Sequence, residues 1–137
     1  MTAPFIMLVD DEISFVETMA KRLATRNIDT ITAFSAEEGL EKLKTHQNLD
    51  VIVLDVKMPG MGGIETLRQI KKIAPMVEVI LLTGHATVES GIEGLELGAY
   101  DYLMKPCDIE DLVKKVTMAA RKRQKKNENV YSWGLSM

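Results

Sequence analysis

Five times along this chain a short apolar run is followed by a longer stretch in which apolar residues recur every three or four positions. The runs are Phe5–Val9, Ile28–Phe34, Val51–Leu54, Val77–Leu82 and Tyr100–Met104. Each has the length of a strand and is too short for a helix, whereas the stretches between them carry the period of a helix with one buried face. Strand–helix alternation of this kind needs parallel strands joined by helical crossovers. It therefore predicts an α/β fold with helices on both faces of one sheet. The first, third and fourth runs are the most apolar, as strands covered on both faces must be, and are predicted to be central. The second is β-branched but polar, and is predicted at an edge.

The punctuation between the elements agrees. Ile13, Val16, Met19, Ala20 and Leu23 mark the first helix. Ser35-Ala-Glu-Glu38 is a capping box, in which the serine oxygen accepts from the amide three residues on and the glutamate reaches back. Gly39, Leu40 and Leu43 follow on one face. The loop Pro59–Gly63 leads into a helix marked by Ile64, Leu67 and Ile70 and ended by Pro75. The fourth helix is expected over Thr87–Leu97 with Val88, Ile92 and Leu95 on one side. Asp108 is expected to cap the fifth, with Ile109, Leu112, Val113 and Val116 inward and Glu110–Lys114 and Asp111–Lys115 as ion pairs one turn apart. Beyond Lys126 the pattern fades. Residues 1–126 are therefore expected to form one domain and 127–137 a loose tail bearing Tyr131 and Trp133.

Bulk properties narrow the function. A chain of 137 residues is one domain's worth, long enough to bury a core without disulfides. Its single cysteine, Cys107, excludes an internal disulfide. The run Phe5–Val9 stops at Asp10, Asp11 and Glu12, so it is no signal peptide, and no apolar stretch approaches the ~18 residues of a membrane span. A cytoplasmic location is expected. The net charge of −3 gives no overall attraction to nucleic acid or acidic membranes. The local exception is Arg121–Lys126, five cations in six positions. It reads as a solvated helix end that complements the negative terminus, or as the start of a linker to an effector. Cys107 reads as a small packed residue, with a redox role as the alternative. The nine methionines read as core filler.

What stands just past each strand carries the chemistry. Asp10 and Asp11 follow the first, Asp55 the third, Thr83 the fourth and Lys105 the fifth. In an open parallel sheet the carboxyl ends of the strands share one edge, and ligands bind there. Singly, each residue has a plain structural reading, such as a helix cap or a solvated strand end. Jointly, three carboxylates, a hydroxyl and an ammonium should converge in one crevice. Clustered carboxylates repel one another, and a hard divalent cation relieves the conflict. The three acids and Lys105 sum to −2, which one Mg²⁺ balances.

The blocks Leu8-Val-Asp-Asp-Glu12, Val53-Leu-Asp-Val-Lys-Met-Pro-Gly-Met61, Leu82-Thr-Gly84 and Tyr102-Leu-Met-Lys-Pro106 resemble the four signature blocks of two-component response regulator receiver domains. The resemblance runs from about Phe5 to Lys122. The segment from Thr83 to Leu103 is most similar to receivers attached to enhancer-binding transcription activators. It implies a flavodoxin-like, doubly wound (βα)5 fold: a single five-stranded parallel sheet in the order 2-1-3-4-5. It implies that Asp55 accepts a phosphoryl group from the phosphohistidine of a sensor histidine kinase or phosphotransfer protein. Asp10, Asp11, Asp55 and the backbone carbonyl of Lys57 would hold Mg²⁺ or Mn²⁺. Lys105 and Thr83 would contact phosphoryl oxygens, and Tyr102 would be the aromatic partner in switching. The bond before Pro106 would be cis, and Lys57 and His85 would tune the phosphoryl lifetime. The chain departs from the pattern at Gly62, where many members carry an acid.

Such a domain signals and is not an independent enzyme, though it assists its own phosphorylation and dephosphorylation. Its output would be a protein-interaction face of the fourth helix, fifth strand and fifth helix, able to form a homodimer when phosphorylated, without direct nucleic acid binding. The helix glycines Gly91 and Gly94 would either loosen that face or permit close packing. Two other readings stay open. The chain is either a stand-alone regulator or the excised regulatory domain of a DNA-binding transcription factor. An aspartyl-nucleophile phosphatase would need an acid two residues past Asp55, where Lys57 stands. A dinucleotide-binding fold would need a glycine-rich turn where Asp10-Asp11-Glu12 stands.

Overall fold

The computed structural model describes residues 2–84 and 88–135, with side chains left aside at 88–91 and 128–135. Strands β1 (Phe5–Val9), β2 (Asp29–Ala33), β3 (Val51–Asp55), β4 (Glu78–Thr83) and β5 (Asp101–Met104) alternate with helices α1 (Ile13–Ala24), α2 (Ala36–Thr45), α3 (Gly63–Ile73), α4 (Val88–Glu96) and α5 (Ile109–Leu135). All neighbouring strands are parallel and the order is β2-β1-β3-β4-β5. The most apolar runs are the three central strands, and polar β2 is an edge, as its composition requires.

Central strands bury both faces, and their side chains alternate between two cores. Ile6 and Leu8 of β1, Val51 and Val53 of β3, and Ile80 and Leu82 of β4 pack with Val16, Met19, Leu112 and Val116 of α1 and α5. Met7, Val9, Ile52, Leu54, Val79 and Leu81 pack on the other side with Leu43, Leu67 and Ile70 of α2 and α3. Each such fully buried aliphatic side chain contributes roughly 1.5–3 kcal/mol. These two layers fix the sheet rigidly beneath whatever stands at its edge.

Several local expectations are met and several are corrected. Ser35 Oγ accepts from the Glu38 amide at 3.1 Å, while Glu38 reaches back to the Phe34 amide at 3.2 Å, one residue beyond the cap itself. Asp108 caps α5 by accepting from the Glu110 amide. The expected ion pairs within α5 are replaced by longer-range ones, because partners from other elements lie closer: Glu110 binds Arg26 and Lys115 binds Asp101. On α4, Ile92 and Leu95 are exposed rather than inward. The helix meets the sheet through Gly94, where a methyl group would lie 2.3 Å from Leu81 Cδ1. That contact gives Gly94 a packing role.

The backbone of α5 stays helical through 127–135, where a loose tail was expected. Arg121–Lys126 contains strong helix formers and no glycine or proline. Nor is this run simply solvated. Two buried acids at the start of β3 and β4 hold it: Asp50 accepts from Gln124 at 3.3 Å and Arg123 at 3.5 Å, and Glu78 pairs with Lys126 and, at 3.9 Å, with Lys122.

Candidate functional site

The parallel topology delivers β1, β3, β4 and β5 to one edge with their carboxyl ends together. Asp55 is the last residue of β3 and pairs in register with Leu82 of β4; Thr83 ends β4 and is in register with Met104, next to Lys105. Asp10 and Asp11 extend from β1. One carboxylate oxygen from each of Asp10, Asp11 and Asp55 lies within 4.8 Å of the others. Asp10 and Asp55 are 3% and 5% exposed, while Asp11 is open to solvent at the rim.

Lys105 closes the crevice from the β5 side. Its ammonium lies 2.5 Å from Asp10 Oδ2, 2.9 Å from Glu12 Oε1 and 3.8 Å from Asp55 Oδ2. Its backbone amide donates to the Thr83 carbonyl at 2.8 Å, which ties β5 to β4 at the site. The bond between Lys105 and Pro106 is cis, as expected from the resemblance. The Lys57 amide donates to Asp55 Oδ1 at 3.1 Å and anchors the carboxylate.

Electrostatics follow from this packing. Burial, and next the charge of Asp10, raise the Asp55 carboxyl from 3.8 to about 6. Burial works against the charged form of Lys105, but hydrogen bonds to Asp10 and Glu12 outweigh it and the ammonium is held more firmly than usual. A single Lys105 cannot balance the acids around it, so the crevice carries excess negative charge. A hard divalent cation fits this all-oxygen donor set; Asp10, Asp11 and Asp55 are the residues that could hold it.

The β3–α3 loop is built to let a helix start tight against the end of β3 at Asp55. A methyl group on Gly63 would lie 2.5 Å from Val56 Cα and 2.9 Å from the Asp55 carbonyl oxygen, so glycine is required there. Gly62 has open space around the same position and caps α3 with no side-chain bond. The departure at Gly62 thus leaves α3 without a side-chain cap and lies outside the acid cluster.

Tyr102 sits half-buried on β5 against the core layer containing Leu81 and Ala99. His85 lies outside the described residues. Cys107 is partly buried against the opposite core; burial, then nearby Asp111 and Asp108, push its thiol up, which favours the packing role. Two neighbours of Lys105 were not singled out from sequence: Glu12, and Phe15, whose ring centroid lies 4.5 Å from the ammonium. The third acid in Asp10-Asp11-Glu12 was the available signal for the first. A cleft of about 520 Å³ opens at the opposite edge among Phe5, Asp50, Arg123 and Gln124, away from the acid cluster. Among the described residues no helix is long and apolar enough to cross a membrane.

Comparisons with known proteins agree with the geometry. Residues 6–117 match the family model described as the response regulator receiver domain. The transcriptional regulatory protein ZraR of Escherichia coli strain K12 is 36% identical over 107 residues, which cover 78% of this chain and 24% of that protein. The DNA-binding transcriptional regulator NtrC of Klebsiella pneumoniae is 35% identical over 121 residues, 88% of this chain and 26% of that one. The chain thus spans about a quarter of the length of these curated relatives. The crystal structure of a CheY-like receiver domain protein from Methanospirillum hungatei JF-1 superposes with a TM-score of 0.83 at 29% identity, covering 91% of this chain and 99% of that one. Sheet order, edge chemistry and sequence match converge, and this chain belongs to the response regulator receiver domains of two-component signalling, with NtrC and ZraR among its relatives.

Proposed function

We propose that this chain takes one phosphoryl group on Asp55 from the phosphohistidine of a sensor histidine kinase or phosphotransfer protein, and then alters its α4–β5–α5 face. The observation that carries the reading is the placing of Asp55. It is a buried carboxylate at the end of the central strand β3, flanked by the Asp10–Asp11 pair and 3.8 Å from the Lys105 ammonium. An Asp55 oxygen attacks phosphorus, the P–N bond of the donor breaks and the imidazole leaves with that electron pair. Lys105 neutralises charge on the phosphoryl oxygens and the Thr83 hydroxyl donates to another of them; alignment and charge neutralisation are most of what such transfer needs. Mg²⁺ or Mn²⁺ held by Asp10, Asp11, Asp55 and the Lys57 carbonyl supplies further neutralisation. Lys57 and His85 govern the approach of water and so the lifetime of the phosphoryl group.

Thr83 and Lys105 lead directly into α4 and out of β5. Drawing the Thr83 hydroxyl toward the phosphoryl group leaves room for Tyr102 and biases a two-state element. Ile92, Leu95, Met104 and Met118 are each about half exposed on α4, β5 and α5, an apolar surface suited to a protein partner or a second copy of the chain. Residues 1–126 act as the regulatory unit in this reading, in the cytoplasm where the kinase presents its phosphohistidine. The DNA-binding names of the relatives favour a second output over a stand-alone role: regulation of a DNA-binding transcription factor. Incubation with acetyl phosphate and Mg²⁺ should raise the intact mass by one phosphoryl group, ~80 Da. An Asp55→Asn protein that gains the same mass at the same rate would refute the assignment.

A further inference from the structure

Lys105 has more claimants than the phosphoryl reaction needs. An ammonium has three donors. One reaches Asp10 Oδ2 at 2.5 Å and one reaches Glu12 Oε1 at 2.9 Å, while the nearest Asp55 oxygen, at 3.8 Å, is beyond hydrogen-bond range. Asp10 belongs to the acid cluster that could hold a cation; Glu12 stands outside it. A cation entering the cluster competes with Lys105 for Asp10 but leaves Glu12 available. Among the described residues the Glu12 side chain has no polar partner besides Lys105. It is the N-cap residue of α1, yet its side chain makes no cap bond, and its amide is held by Asp10 Oδ1 at 3.0 Å. The ring of Phe15, one turn into α1, lies under the ammonium and keeps it near this side of the crevice.

We propose that Glu12 is a positioning residue that parks Lys105 on the β1 side, so that engagement of a phosphoryl oxygen on Asp55 requires Lys105 to leave Glu12. The proposal rests on the phosphoryl-accepting role of Asp55. Glu12 then competes with the phosphoryl group for one ammonium and sets how readily the switched arrangement forms. A purely structural role for Glu12, as a negative charge favouring the start of α1, makes no link to Lys105. Simple repulsion between Glu12 and an incoming anion makes none either.

The test uses the full chain, saturating Mg²⁺ and beryllofluoride as the probe, with bound fluoride followed by ¹⁹F NMR. Glu12→Gln should lower the Kd for beryllofluoride about three- to fivefold, the range of an exposed ion pair. In a Lys105→Met background the same substitution should change nothing. No tightening from Glu12→Gln, or equal tightening in both backgrounds, overturns the proposal. A second measurement does not need the Lys105→Met protein. The Lys105 ammonium protons should be protected from water exchange in the free wild type, lose that protection in Glu12→Gln, and be equally protected in both once beryllofluoride is bound. Equal protection in the two free proteins overturns the proposal. Failure of the wild type to take up beryllofluoride would instead sink the Asp55 reading itself, and this proposal with it.

Discussion

Asp50 and Asp55 bracket a single strand, both buried, and are held in opposite ways. Asp50, just before β3, accepts from the Phe5 amide at 3.0 Å, from Gln124 at 3.3 Å and from Arg123 at 3.5 Å. Asp55, at the far end, has the Lys57 amide at 3.1 Å and an ammonium that stops 3.8 Å away. A buried carboxylate supplied with donors on both oxygens is a structural joint. One left short of donors next to other acids costs the fold and is available for chemistry.

The cost at Asp55 should be visible as a pH dependence. Its carboxyl rises from 3.8 to about 6, so ionisation is harder in the folded protein than in the unfolded one. The metal-free protein should be most favoured, with respect to this group, below the unfolded value, and should lose that contribution as pH climbs through about 6. Asp55→Asn should therefore stabilise the metal-free protein at pH 7.5 by on the order of 1–2 kcal/mol, with the gain vanishing near pH 4. Urea melts in chelator at the two pH values check this; a gain that is equal at both would contradict it.

Divalent metal should reverse the penalty. Binding to the native crevice and not to the open chain stabilises the fold, by about 2.7 kcal/mol at a hundredfold excess over Kd. Asp11 is the exposed member of the cluster and can be removed without opening the core. Asp11→Ala should retain a normal metal-free melt and lose most of the Mg²⁺-dependent shift. An undiminished shift would place the metal elsewhere.

Asp50→Ala should leave the chemistry and damage the joint. Arg123 would remain largely buried without its carboxylate, and the Phe5 amide would lose its acceptor. Breaking a buried pair from one side costs about 3 kcal/mol, or roughly 10 °C of melting temperature in a domain of this size. Amide exchange should rise in residues 121–127 while phosphoryl uptake at Asp55 persists at permissive temperature. Unchanged exchange in that stretch would deny the joint its role in docking α5.

The two adjacent glycines should behave differently. Gly63→Ala drives a methyl group into the backbone at Asp55 and Val56 and should destabilise strongly, in the range of overpacked sites, about 1–3 kcal/mol or more. Gly62→Ala meets nothing and should stay within about 0.5 kcal/mol of wild type. Thermal melts of the two variants, run side by side, decide it; equal effects would refute the packing argument.

Amide exchange with and without beryllofluoride should locate the switch. Changes should concentrate in residues 83–106, because Thr83 and Lys105 join the crevice to α4 and β5 through consecutive backbone. Changes centred on Ser35–His46 instead would put the responsive face on the wrong side of the sheet.

The central and edge character of the strands and the identity of the acids were legible in the sequence because both are local signals, whereas the full order 2-1-3-4-5 came only with the family resemblance. Apolar runs of strand length with helical stretches between them admit few arrangements, and residues just past each strand must share one edge of a parallel sheet. What only the tertiary structure decided were choices between partners distant in the chain. Lys105 divides itself between Asp10 and Glu12, 95 and 93 residues away, and no spacing rule encodes that division. Lys115 takes Asp101 and Glu110 takes Arg26 in place of partners one helical turn away, since a cation binds the nearest carboxylate in space. Arg121–Lys126 reads as a solvated helix end until Asp50 and Glu78 are seen beneath it. Ile92 and Leu95 follow helical periodicity yet face outward, because Gly94 brings the helix close to Leu81 and turns its larger side chains away from the sheet. Periodicity reports that a helix has an apolar side; which surface that side meets is fixed by the close packing of the whole.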